Sequence, residues 1–501
     1  MDLELKDLLD MLLVKEVFNF KNIKVKGIVY SSEKVKKNYI FVCLPGTRVH
    51  GARFVPQAIE KGAGVILTDL KEVEAPGAVK VLVPDVREAL AVMSANFFGF
   101  PSSKLRLIGV TGTNGKTTTT HLIESLLSGA NKKTGLIGTI RYQVGAQVLP
   151  VLATTPEAPD LQEIFSFMVK EGVDCAVMEV SSHALELKRV SGCDYDVGVL
   201  TNISEDHLDF HKTFERYLRS KAKLFSRMGN MSEGSNSPKV AILNRDDPNF
   251  SYLYEESGVQ KITYGIKKKA DFMARDIQIK DEGVSFYLES PWARERVNLK
   301  LTGLFSVYNA LAALAVAFVE GLNWQDSLNI LESIAGVPGR FEKIEEGQDF
   351  TVIVDYAHTP DGLENVLSTV KEFARGQIIT LFGCGGDRDK TKRIPMGRIA
   401  GKYSNYCLLT TDNPRTEDPR EIFKEVEQGL ITTKNKEEYE ICLDRYQAIH
   451  NALSRARKGD VVIIAGKGHE NYQIFEDRTI EFDDRKTARD ILVNKIIKKA
   501  K

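Results

Sequence analysis

The residue types that could do chemistry concentrate first in one stretch, Leu105 to Thr120. An apolar run from Leu105 to Val110 reads as a buried strand, and helix-forming residues follow from Thr117 through Leu127. Between them lie Gly112, Thr113, Asn114, Gly115, Lys116, Thr117 and Thr118. Strand, glycine turn, lysine, hydroxyl and helix form the arrangement that holds a nucleotide triphosphate. Glycines let backbone N–H groups approach phosphate oxygens, and the helix N-terminus adds partial positive charge. Lys116 is expected to reach the terminal phosphates, and Thr117 to ligate Mg2+. The pattern departs from G-x-x-x-x-G-K-[ST] at one point, where Val110 stands in place of the first glycine.

More polar groups follow at the ends of other apolar runs. Glu179 closes the run from Cys175, and an acid beside a nucleotide loop would hold Mg2+ directly or through water. The loop from Thr201 to His211 carries His207 and His211 among acids. His207 is the ligand candidate because it lies nearer the strand end, and His211 reads as structural. Lys221 falls on an expected helix and by spacing alone is a solvated charge. Arg388 and Arg415 follow two later strands. Their guanidiniums suit either a bidentate grip on a carboxylate or surface ion pairs, and spacing does not choose between them.

Composition narrows the class. Lys+Arg and Asp+Glu are both 68, so no overall field favours nucleic acid or an anionic membrane, and phosphate affinity has to be local. The six cysteines are scattered without a C-x-x-C pair, which argues against zinc and against a disulfide framework. The acidic start lacks the basic region of a signal peptide. The longest apolar run, Ala310 to Val319, is far short of the ~20 residues that span a bilayer. A cytoplasmic protein without membrane insertion is expected.

The elements that must position these groups form an α/β pattern. Length suggests about three domains at roughly 100–200 residues each. Residues 1–103 read as a small α/β domain, with strands near 39–44, 64–67 and 79–83 and helices at 54–61 and 86–97. Residues 104–337 read as a larger parallel-sheet domain, with strands at 105–110, 134–139, 175–179, 197–201 and 240–243. A β-rich excursion is expected at 261–300 and an alanine-rich helix at 305–320. Residues 338–501 give a third, Rossmann-like unit with strands at 351–354, 378–382, 406–410 and 461–465. Loops at Asp355, Gly383, Asp412 and Gly466 follow those strands and look like one site, since ligands of open α/β sheets bind there.

Several of these groups together resemble the Mur ligase family of ATP-dependent amide ligases. They are Thr111 to Thr118, Met178 to Leu185, Asn202 with Glu205 to His207, Tyr308–Asn309, Gly339 to Phe341 and Asp355 to His358. Ser31, Asp412 to Arg415 and Gly466 to Glu470 extend the likeness across all three domains. The resemblance implies that ATP and Mg2+ activate the acid of UDP-N-acetylmuramoyl-L-Ala-D-Glu as an acyl phosphate, which the amine of meso-diaminopimelate then captures. It assigns Lys116, Glu179, His207 and Lys221 to catalysis. Thr117 and Glu179 would serve one Mg2+, and Glu179, His207 and Lys221 a second. Lys221 fits that role only as a carbamate, the modification that the family's matching lysine carries (N6-carboxylysine), because an ammonium cannot ligate a cation.

By the same resemblance Asn309, Arg340 and Asp355 help Gly112 to Thr118 hold ATP. Val29, Ser31, Thr47, Arg48 and Val49 would take the uridine nucleotide, and Thr154, Thr155, Ser181 and Arg189 the muramoyl peptide. Arg388, Asp412, Asn413, Pro414, Arg415, Gly466 and Glu470 would take diaminopimelate. Diaminopimelate differs from lysine by one carboxylate, for which Arg415 and Arg388 supply a partner. The chain departs from the family at Tyr30 and Ser32, where Asp and Arg are frequent around Ser31, and at Leu187, where Gln is frequent. Same-fold alternatives are a lysine-adding ligase or a folylpolyglutamate synthetase. A P-loop switch is the alternative of another class, but the chain lacks an Asn/Thr-Lys-x-Asp guanine-reading element. A monomer is expected.

Overall fold

A computed structural model describes residues 3–46, 49–229 and 238–500. Among the described residues three large sheets succeed one another along the chain, each built mainly from short apolar runs, and two two-stranded ribbons stand beside them. The first has five strands, ordered Glu16–Phe18, Val79–Leu82, Ala63–Thr68, Tyr39–Val42 and Gly27–Val29, parallel except at the first edge. The expected helices appear as Val55–Glu60 and Val86–Phe97. Asp85 caps the second, accepting hydrogen bonds from the N–H groups of Arg87 and Glu88. That helix packs on Ala158–Lys170 of the next domain, so the first sheet is docked rather than tethered.

The second sheet has eleven strands, and Arg106–Thr111 lies in its interior between Cys175–Glu179 and Val197–Leu200. From Thr134–Ile137 to Phe272–Lys280 all neighbours are parallel. Both edges are antiparallel, which the parallel-sheet expectation did not include. The reason is local. Parallel neighbours need a long crossover, whereas Phe272–Lys280 and Gly283–Glu289 are joined by Asp281 and Glu282 alone, a span that only a hairpin can close. The alanine-rich helix runs Leu304–Val319, with Ala310 to Ala317 at most 1% exposed. Its small residues allow close packing on the helix Lys116–Gly129, which fixes that helix, and so the loop before it, against the sheet.

The third sheet has six strands in the order Glu342–Lys343, Thr351–Asp355, Val461–Ala465, Ile378–Phe382, Tyr406–Thr410 and Tyr439–Cys442. Its interior pairings are all parallel, with the short first edge antiparallel. The strand Tyr439–Cys442 was not expected from sequence, because its pattern alternates with charge at a sheet edge. Gly468, at φ 52°, lets the loop after Val461–Ala465 approach the start of the domain. A Cβ there would lie 2.6 Å from the Gly339 carbonyl oxygen.

Candidate functional site

The glycine loop takes its shape from its own residues and from the next strand end. Gly112 and Gly115 have φ of 151° and 83°, and a Cβ on Gly115 would lie 2.5 Å from Asn309 Oδ1. The Thr113 N–H donates to the Asn202 carbonyl at 2.7 Å, and the Asn114 N–H to Asn202 Oδ1 at 3.0 Å. Thr201 Oγ1 donates to the Asn114 carbonyl at 2.6 Å. The helix Lys116–Gly129 starts immediately after Gly115, so its unpaired N–H groups face the loop. Lys116 Nζ donates to the carbonyls of Gly112 and Thr113, both at 2.9 Å, and burial pushes its pKa below the usual lysine value.

Glu179 lies at 0% exposure where its strand ends. Thr117 Oγ1 donates to Glu179 Oε2 at 3.0 Å, and the Thr139 N–H and hydroxyl donate to the same carboxylate at 2.8 and 3.1 Å. Arg340, from the third domain, donates to Thr117 Oγ1 at 3.0 Å. Asn309 Oδ1 accepts from Thr119 at 3.2 Å, under the loop. Asp355 accepts from the N–H groups of Phe341 and Ala357 at 2.6 and 2.7 Å, while burial raises its pKa.

Lys221 is not the solvated charge that its helical spacing suggests. It is 1% exposed, and its Nζ donates to the Gly112 carbonyl at 2.7 Å, the acceptor Lys116 also uses. The cause is tertiary: the helix Phe214–Ser226 lays this face beneath the glycine loop. Burial, aided by the nearby Lys116 charge, pushes its pKa well down. His207 adopts φ 55° at the start of the turn Leu208–His211, with Nε2 3.4 Å from Asp206 Oδ2. Burial lowers its pKa to about 3, so the ring is neutral and able to ligate. His211 is buried against Ser182 Oγ at 3.0 Å.

The donor set can be tested against Mg2+. Thr117 and Glu179 present two hard oxygen donors in contact with one another beside Lys116, which suits an ion that takes its remaining ligands from phosphate and water. Among the described residues no three His, Cys, Asp or Glu side chains converge on one metal position. The second set, Glu179 with His207 and Lys221, counts only two such side chains, and all three residues line one cleft, with Lys221 Nζ on the Gly112 carbonyl.

The groups expected for the peptide lie beside Glu179. Thr155 Oγ1 donates to the Glu179 carbonyl at 2.8 Å, Thr154 Oγ1 lies 3.1 Å from Thr139 Oγ1, and Ser181 caps the helix Ser182–Glu186. Arg189 Nη1 donates to the Thr155 carbonyl at 3.1 Å. Of the uridine group, Val29 and Ser31 bracket Tyr30, whose hydroxyl donates to Asp160 Oδ2 at 2.6 Å. Ser32 Oγ donates to Gln57 Oε1 at 2.7 Å, Val49 is exposed, and Thr47 and Arg48 lie outside the described residues.

Across from these stands the third domain's loop cluster. Asn413 Nδ2 donates to Glu470 Oε2 at 2.9 Å, and the buried Lys467 donates to both side chains. A Cβ on Gly466 would lie 2.7 Å from Asp412 Oδ2, so glycine permits that approach. Arg415 and Arg388 flank Gly385, whose Cβ would lie 3.0 Å from Arg415 Nη1 and 3.8 Å from Arg388 Cγ. Arg415 Nη1 donates to the carbonyls of Gly386 and Asn413 at 2.7 and 3.3 Å, so one edge of the fork is held by backbone. Pro414, buried, contributes its carbonyl to the packing against Gly386.

One cleft of about 3060 Å³ joins the two sides. Lys116, Glu179, Arg189 and Lys221 line it from the central domain, and Arg388, Asp412, Arg415 and Glu470 from the third. Val29, Ser31 and Val49 are not among its lining residues, so the uridine group sits apart from the rest. Sequence reasoning missed Thr139, which holds Glu179, and Asp361. Asp361 Oδ2 accepts from Asn114 Nδ2 at 2.5 Å and Ser204 Oγ at 3.0 Å, joining the third domain to the glycine loop. Its position in the first turn of Pro360–Phe373, just after Asp355 to His358, was the available signal.

Comparison with known proteins extends this picture. Residues 110–317 match the family described as Mur ligase middle domain, 339–468 the Mur ligase glutamate ligase domain, and 24–98 the Mur ligase family catalytic domain. The UDP-N-acetylmuramoyl-L-alanyl-D-glutamate–2,6-diaminopimelate ligase of Caldanaerobacter subterraneus subsp. tengcongensis is 46% identical over 477 residues, covering 95% of this chain and 96% of that protein. The Bacillus cereus enzyme of the same name gives the same identity and coverage. A solved structure under that name is 32% identical, with TM-score 0.67 and 99% of each chain covered. Thermotoga maritima MurF ligase in complex with ADP, at 19% identity and TM-score 0.64, shares the fold.

Proposed function

Because the chain belongs to the Mur ligase family, we infer that it is the ATP-dependent ligase that adds meso-2,6-diaminopimelate to UDP-N-acetylmuramoyl-L-alanyl-D-glutamate, in peptidoglycan precursor synthesis. The observation that carries this reading is the single cleft in which Lys116 and Glu179 face Arg415 and Glu470. The chain divides at 103/104 and 337/338, giving uridine-, ATP- and amino-acid-binding domains. It acts as a cytoplasmic monomer. Among the described residues no helix is long and apolar enough to cross a membrane.

The γ-phosphoryl group of ATP passes to the terminal carboxylate of the dipeptide, leaving ADP and an acyl phosphate. Lys116 compensates the charge gathering on the phosphoryl oxygens, aided by the N–H groups opening the helix Lys116–Gly129. Thr117 and Glu179 would hold Mg2+, which when bound would supply positive charge to lower the repulsion between the two anions. Asn309, Arg340 and Asp355 hold the nucleotide where the second and third domains meet. The diaminopimelate amine, as free base, then attacks the acyl carbon. The tetrahedral adduct expels phosphate and loses a proton to give the amide.

Arg415 and Arg388 grip the carboxylate that lysine lacks, and Glu470 with Asp412 faces the ammonium end. Lys221 acts as its carbamate. The reading is supported by its match to the family's lysine and by its burial beside Lys116, where an anion in place of an ammonium would be the better neighbour. Phosphate release tests the whole scheme: it is expected only when the UDP-dipeptide and diaminopimelate are both present. Steady nucleotide hydrolysis without them would favour a switch protein instead.

A further inference from the structure

Two consecutive residues of the central domain meet a single turn of the first, Lys188 directly at Asp85 and Glu88 and Arg189 through Glu157, which also faces Arg87. Lys188 has φ 58°, which turns the chain after the helix Ser182–Glu186 and sends its Nζ to Asp85 Oδ2 at 2.6 Å and Glu88 Oε2 at 2.5 Å. Arg189 Nε lies 3.2 Å from Glu157 Oε2, and the same oxygen is 3.5 Å from Arg87 Nη1. Arg87 Nη2 donates to the Pro45 carbonyl at 2.8 Å, at the foot of the segment leading to Val49. One carboxylate therefore sits between two guanidiniums, one from each domain. The three side chains are 12–24% exposed and carry a surplus positive charge.

The geometry points to Glu157 and Arg87 as positioning residues that set the plane of Arg189 for the dipeptide and register it against the uridine segment. This inference rests on the substrate path proposed above. A guanidinium is a specific partner only when its plane is fixed, and here the Thr155 carbonyl holds Nη1 by a hydrogen bond while Glu157 attracts the Nε side as an ion pair, without a hydrogen bond. Without Glu157 the two guanidiniums would repel each other across the domain boundary. The uridine and dipeptide ends belong to one covalent molecule, so both are engaged together only when the two domains hold a matching separation. Arg87 touches both halves of that arrangement, through Pro45 and through Glu157.

The test is the Michaelis constant for each of the three substrates, with melting temperature followed in parallel. Glu157→Gln and Arg87→Ala are expected to raise KM for the UDP-dipeptide about tenfold, with kcat and the KM values for ATP and diaminopimelate changed by less than about twofold. The double variant should be no worse than the weaker single one, because the two side chains act through one oxygen. Lys188→Met, which cuts the neighbouring tie and leaves Arg189 in place, is expected to lower the melting temperature without that selective rise. Arg189→Ala separates the two ideas. If it leaves KM for the UDP-dipeptide unchanged, the substrate path itself is wrong. If it raises that KM while Glu157→Gln and Arg87→Ala do not, or if those two shift all three constants together, the positioning role is overturned.

Discussion

Lys116 and Arg415 line the same cleft, but the walls that carry them are built in different ways. The central wall is centred on one continuous segment, Thr111 to Lys116, braced by the next strand end through Thr201 and Asn202, with Glu179, Arg189 and Lys221 added from other elements. The third domain's wall is assembled from loops that follow separate strands, and its brace lies far along the chain. Arg445 and Asp484, both with wholly buried side chains, form a two-pronged ion pair. The same guanidinium donates to the carbonyls of Thr411 and Ala465, the residues just before Asp412 and Gly466. So the third domain is braced by a buried ion pair far along the chain, whereas the central loop is braced by Thr201, Asn202 and the ammoniums of Lys116 and Lys221 on its carbonyls. Few side-chain bonds bridge the walls near the glycine loop: Asp361 to Asn114 and Ser204, and Arg340 to Thr117.

The sharpest way to break this comparison is at the centre. Lys116→Ala should lower kcat by about a thousandfold with every amino acid offered, since it removes charge compensation for the phosphoryl group. Phosphate release under saturating substrates measures it. Lys221→Ala should cost roughly 10–100-fold, the usual scale for a group that orients a metal site. Intact-mass measurement under CO2-replete conditions should show the unaltered chain carrying the added mass of CO2. An unmodified lysine in both mass and electron density would end the carbamate proposal.

On the opposite wall the effect should be selective. Arg415→Ala should raise KM for diaminopimelate roughly 10–100-fold while KM for ATP stays within about twofold. Backbone carbonyls already satisfy one edge of that guanidinium, which places the loss nearer the lower figure. Equal turnover of L-lysine and diaminopimelate by the unaltered protein would contradict the assignment. The smallest change is expected at the bridge. Asp361→Asn keeps the shape and weakens a contact between partly exposed groups, so kcat should fall only a few-fold, read as slower single-turnover amide formation. A loss as large as that of Lys116→Ala would mean the two walls are one unit.

Much of the fold was legible because buried parallel strands are short apolar runs. Those in the central domain fall within a residue or two of the expected positions, and the helix Leu304–Val319 stands out by its alanines. Short edge elements such as Glu16–Phe18 and Tyr439–Cys442 were not legible, since their pairing partners rather than their own patterns hold them in place. In the site, the glycine loop could be read directly because phosphate binding needs contiguous backbone N–H groups, and contiguity is a property of sequence. Lys221 could not be read that way, because its helix resembles any other charged helix until the fold lays it under Gly112.

The sequence by itself therefore determined the chemistry available: a glycine loop with Lys116 and Thr117, an acid at a strand end, and guanidiniums after later strands. Tertiary structure alone decided which of these groups share a cleft, that Lys221 is buried beside Lys116, and that Glu157 stands between arginines of two domains. The physical reason is one of range. Strand, turn and helix signals act over a few residues, while burial and charge pairing depend on distances set only when separate sheets dock.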